Sequence, residues 1–75
     1  MSIDNKLNKI FVIIFKIKNK IKIKKSNVKN TKNWDSINHI RLITLLEEEF
    51  DLKVKSASDL TSFAKIKRYI LNYHD

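Results

Sequence analysis

Three residues lie close enough in the sequence to suggest a reacting set: Asp35, Ser36 and His39, in the stretch NWDSINHIRLITLLEEEF at 33–50. A carboxylate, a hydroxyl and an imidazole are the components of a nucleophilic triad. Their spacing argues against one. All three fall on the first turn of a single helix, and no element is identified that could aim hydrogen-bond donors at a developing oxyanion. A helix cap and a hydroxyl modified by another enzyme are the two other readings of Ser36. His39 reads as an exposed or partly packed helix residue beside Ile40.

Composition removes most other chemistry. The 75 residues contain no cysteine, which excludes disulfides, thiolate metal ligands and a cysteine nucleophile. Two histidines, His39 and His74, are too few and too far apart to anchor a zinc site. Glycine and proline are both absent, so phosphate-cradling glycine loops, a nucleophile elbow and tight hairpins are not expected. The apolar run IFVIIF at 10–15 is far shorter than the roughly 20 residues a bilayer requires, and no signal-peptide pattern follows it. The expectation is a soluble, cytoplasmic, non-catalytic protein of one domain.

Charge is unevenly spread. Residues 1–33 hold ten lysines against Asp4 alone, a net of +9, while residues 34–75 hold four lysines and two arginines against seven acids, a net of −1. A basic arm of this kind fits nucleic acid or an anionic membrane. Compositional drift is the simpler account, since Ile, Lys and Asn together make 34 of the 75 residues.

The elements that would position Ser36 follow from periodicity. Ile3, Leu7, Ile10, Ile14, Ile17 and Ile21 step by four and three, which predicts a first helix over about 3–17, capped by Ser2 or Asp4. Residues 15–24 (FKIKNKIKIK) also alternate, so an edge-prone β segment over 10–24 (IFVIIFKIKNKIKIK) is a second reading. Residues 18–34 read as a long polar loop pinned by Ile21, Ile23 and Val28. Asp35 or Ser36 caps a second helix over 36–50. Ile37, Ile40, Ile43, Leu46 and Phe50 form its apolar face, widened by Leu42 and Leu45. Ser56 and Asp59 resemble a capping box opening a short helix at about 57–60. Thr61 or Ser62 caps a last helix over 62–73, with Phe63, Ile66, Ile70 and Tyr73 on one side. The fold class expected is all-α: a small four-helix bundle of three main helices plus one short helix.

Beyond periodicity, Asp35-Ser36-Ile37, the helix ending Glu47-Glu48-Glu49-Phe50, and Leu60-Thr61-Ser62-Phe63 before the last helix resemble the acyl carrier protein family over residues 34–75. Residues 1–33 match mainly in length and in an amphipathic first helix before a long loop. The resemblance implies that Ser36 receives 4′-phosphopantetheine from coenzyme A and carries an acyl or aminoacyl group as a thioester. Asp35 would act as cap and as part of what a phosphopantetheinyl transferase reads. It implies further partners: an enzyme that loads the cargo and downstream transferases of a biosynthetic pathway. Asn38, His39, Arg41, Glu47 and Glu48 would form the partner surface, and Ile40, Ile43, Leu46, Phe50, Ile66 and Ile70 are candidates to line a cargo pocket. Family members are usually acidic on the face that Asn38, His39 and Arg41 occupy here, which points to a dedicated loading enzyme. A monomer without nucleic-acid binding or stable membrane insertion is expected. The alternative is a small basic helical protein that binds nucleic acid or an anionic membrane through its lysine-rich N-terminal part.

Overall fold

The computed structural model describes residues 3–73, and Ser2 and His74 lie outside them. The order is α1 Ile3–Phe15, α2 Lys20–Lys24, α3 Ser36–Phe50, a 3₁₀ turn at Ala57–Asp59, and α4 Phe63–Tyr73. Three main helices with short helical pieces between them make a small all-α bundle. Among the described residues there is no strand, only an isolated antiparallel bridge between Asn27 and Ser62.

Helix α1 buries Leu7, Ile10, Phe11, Ile14 and Phe15, a stripe wide enough to meet α3 chiefly and also α2 and α4. It ends at Phe15, two residues short of the expected boundary, because Lys16 turns into the left-handed region at φ 58°. The Lys16 amide closes that end on the Val12 carbonyl at 3.0 Å. Asp4 does not cap the helix; its carboxylate oxygen lies 2.9 Å from Lys67 Nζ, tying the start of α1 to α4.

The polar loop expected over 18–34 contains α2. Its cause is Asn19, whose side-chain oxygen accepts from the amides of Ile21 at 2.8 Å and Lys22 at 3.2 Å. Five residues are far too few to hold a helix alone, and the fully buried Ile23 anchors this one. The β reading of 10–24 therefore fails, since α1 and α2 cover most of it. Of the three residues expected to pin the segment only Ile23 does so, since Ile21 and Val28 are exposed. Beyond α2 the backbone folds on local side chains. Asn27 Oδ1 accepts from Lys29 and Asn30 amides, and Asn30 Oδ1 accepts from the Asn27 amide in return. Val28 N–H donates to the Thr61 carbonyl and Phe63 N–H to the Ser26 carbonyl, which fastens the loop to the start of α4.

In α3 the buried residues are Leu42, Leu46 and Phe50. Ile37 and Ile40, expected on the same face, are 70% and 66% exposed. Helical geometry gives the reason. Each step of three residues falls about 60° short of a full turn, so a stripe read in threes drifts until Ile37 lies about 180° from Leu46. The helix ends on Asp51, held left-handed at φ 50° in a chain with no glycine for the position. In α4, Phe63, Ile66 and Ile70 are buried and Ser62 Oγ accepts from the Lys65 amide at 3.2 Å. The expected capping box at Ser56 is absent. Asp59 N–H donates to the Ser56 carbonyl instead, which makes a 3₁₀ turn without a side-chain cap.

The core draws on all four α-helices and on Trp34, Leu52 and Leu60 of the connecting segments. Its centre is aromatic: Phe11 packs edge-on against Trp34 and Phe63 at 5.6 and 5.4 Å, and Phe15 stacks on Trp34 at 4.7 Å.

Candidate functional site at the start of α3

Ser36 is the first residue of α3 and is exposed. Asp35 precedes it in extended conformation and is the N-cap, its carboxylate accepting from the Asn38 amide at 2.9 Å. The His39 amide reaches the Asp35 carbonyl at 2.8 Å. The amides of Ser36 and Ile37 are thus the helix-start donors without an intrahelical acceptor. A phosphate ester on Ser36 would sit beside them, at the positive end of the helix dipole, where an anion gains about 0.3–1 kcal/mol.

What holds this end of α3 in place is a relay absent from the sequence-based reading. Trp34 Nε1–H donates to His39 Nδ1 at 2.9 Å, and His39 Nε2 lies 2.7 Å from the Ala57 carbonyl. With Nδ1 accepting from the indole, Nε2–H is the donor to the Ala57 carbonyl. His39 therefore cross-links the loop before α3 to the turn after it and has no free nitrogen for Ser36. A signal for this was present: His39, Leu42 and Leu46 are spaced three and four apart and share the buried face.

The residues expected on a partner surface divide. Asn38 Nδ2 donates to the Asn33 carbonyl and its oxygen accepts from Arg41. Glu47 is half-buried, and Oε2 accepts from the Val54 amide at 2.9 Å, which positions the chain after α3. Asn38, His39 and Glu47 thus spend polar atoms on the fold, while Arg41 and Glu48 are exposed. Ile37 and Ile40 join them on the open side, an apolar contribution not foreseen. Of the expected cargo-lining residues, Leu46, Phe50, Ile66 and Ile70 are core, Ile43 packs at its edge, and Ile40 faces outward.

Beside Ser36 lies a shallow groove of about 250 Å³ whose wall includes Val28, Trp34, His39, Ser58 and Thr61. It leads from the serine along the turn that His39 fixes. Compared with protein-family models and with curated proteins, the chain matches none.

Proposed function

We propose that the protein is a carrier whose Ser36 is the attachment point of a 4′-phosphopantetheine arm. The observation that supports this most directly is the placement of the Asp35-Ser36-Ile37 sequence. The aspartate caps, the serine hydroxyl is exposed on the first turn, and the isoleucine projects to the open side. A modifying enzyme needs an accessible hydroxyl on a rigid mount, and the His39 relay together with the Asn38–Asn33 bond supplies the rigidity.

Each residue then has a definite task. Ser36 Oγ would form the phosphodiester, losing its proton as the pyrophosphate bond of coenzyme A breaks and adenosine 3′,5′-bisphosphate leaves. The amides of Ser36 and Ile37 stabilise its charge. Ile37, Ile40, Arg41 and Glu48 present the surface that partner enzymes touch. Val28, Trp34, Ser58 and Thr61 offer a groove along which an arm can lie. The arm, when attached, supplies the thiol that a cysteine-free chain lacks, and cargo is held on it as a thioester. The protein performs no catalysis of its own in this reading.

Arg41 in place of an acid, and a net charge of +8, favour a dedicated loading enzyme over one that reads an acidic face. Incubation with coenzyme A, magnesium and several phosphopantetheinyl transferases, followed by intact mass measurement, tests the assignment. Wild type is expected to gain one phosphopantetheine and Ser36→Ala none. Failure of every transferase to modify the wild type, or modification that persists in Ser36→Ala, would overturn it.

A further inference from the structure

The outer face of α1 and α2 carries a surface that attachment at Ser36 leaves unused. Val12 and Ile13 are exposed on α1, Ile13 by 59%, and with Lys9, Lys18 and Lys20 they line a groove of about 330 Å³. On α2 this groove takes in Lys20, while Ile21 and Lys22 border a separate hollow with Phe15, Ile17 and Lys25. Branched aliphatic side chains thus stand among lysines. Residues 16–32 contain eight lysines and no acid. Among the described residues the ion pair found is Lys67–Asp4, which leaves this face without carboxylate partners.

Two classes of polyanion compete for such a face. Nucleic acid pairs lysines with phosphates and stacks its bases on exposed aromatic rings. Here the nearby rings, Phe11 and Phe15, are buried, and the side chains left outside are aliphatic. An anionic bilayer uses both components, with lysines on lipid phosphates and aliphatic side chains at the boundary between headgroups and acyl chains. No described helix is long and apolar enough to cross a membrane, so contact would be peripheral. We infer that the groove formed by Val12 and Ile13 with Lys9, Lys18 and Lys20 docks on anionic lipid surfaces.

The inference is independent of modification at Ser36. The test is co-sedimentation of the full chain with vesicles of phosphatidylcholine alone, or of equal parts phosphatidylcholine and phosphatidylglycerol, alongside a single-stranded oligonucleotide as competitor. Binding is expected on the mixed vesicles only, weakening as salt rises. A lysine near an anionic surface contributes about fivefold in affinity, so Lys18→Gln with Lys20→Gln should lower binding about 25-fold. Val12→Ser with Ile13→Ser removes two exposed apolar groups without touching the core and should cost about tenfold or more. Circular dichroism and thermal unfolding of each double variant should match wild type. Ser36→Ala should bind as wild type does. The inference is overturned by absence of binding to the mixed vesicles at low salt, by a Val12/Ile13 double variant that binds undiminished, by a requirement for Ser36, or by an oligonucleotide that displaces the protein from vesicles.

Discussion

The segments on either side of α3 are held by different kinds of bond. Before it, the side chains of residues 19–31 reach only to near neighbours, and the bonds from the segment to the start of α4 run through backbone alone. Asn19 caps α2, Ser26 donates to the Ile23 carbonyl, and Asn27 and Asn30 bond to each other's amides. After it, residues 51–60 are fixed from far away. Glu47 holds Val54, His39 reaches Ala57, and Tyr69 donates to the Lys53 carbonyl at 2.8 Å. Local bonds can form as soon as their own few residues come together, whereas distant ones require α3 and α4 to be in place. The first segment thus takes its turns from its own side chains and is docked on α4 by Ile23 and the backbone bonds to Thr61 and Phe63, while the second is shaped by the bundle. Ser36 stands where they meet.

The heaviest blow to this division is one that strikes both segments at once. Phe11 touches Phe15, Trp34 and Phe63, and is fully buried. Phe11→Ala should cost about 3–5 kcal/mol, measured by urea denaturation, and in a domain this small most molecules would then be unfolded at room temperature. Loss of both segments in a single transition is the expected outcome. Separate transitions would mean that the two are independent units.

A sharper cut falls on the second segment. His39→Ala leaves the buried Trp34 indole N–H and the Ala57 carbonyl without their partner, a cost of about 1–3 kcal/mol. Amide exchange should accelerate at 52–58 and at the start of α3, while 19–31 keeps its protection. Equal acceleration in both segments would show that the asparagine turns depend on the bundle after all.

How much of this was legible beforehand follows the same line. The three main helices could be read because each places apolar residues with helical spacing over three or four turns. Which isoleucines of α3 are inside could not be read from steps of three, because the drift around the helix exceeds the width of the buried face. Helix α2 was hidden by an alternation that looks like a strand and by an asparagine that composition alone makes unremarkable. Asn19, Asn27 and Asn30 are common in this chain and decisive in their positions. The environment of Ser36 divided in the same way. Asp35 as cap follows from residue type and local spacing. The Trp34–His39–Ala57 relay spans two loops, and its far end is a backbone carbonyl that carries no sequence signal.

Next in size is the local cap. Asn19→Ala removes the acceptor of two α2 amides and should cost about 1 kcal/mol, with faster exchange confined to 20–31. Asn19→Asp or Asn19→Ser should restore most of the loss, since either side chain can accept the same bonds. If Asn19→Ala also loosened 52–58, the first segment would have to be feeding order into the second.

The smallest effect has the opposite sign. Lys16 and Asp51 end α1 and α3 in the left-handed conformation, which costs a residue with a Cβ about 1–2 kcal/mol and glycine almost nothing. Asp51 bears this more easily, because aspartate is among the residues found there more often. Lysine has no such excuse, and its side chain is exposed, so nothing in the core is lost by removing it. Glycine also enlarges the unfolded ensemble, which offsets part of the relief. Lys16→Gly should therefore stabilise by about 0.5–1 kcal/mol in urea denaturation, and Asp51→Gly by less. Because the bend at Lys16 aims the chain from α1 into α2, the gain should appear as slower amide exchange over 20–31. A stabilisation spread evenly over the molecule would place the strain in the bundle, and a destabilisation would mean that the lysine side chain contributes more at the turn than its backbone loses.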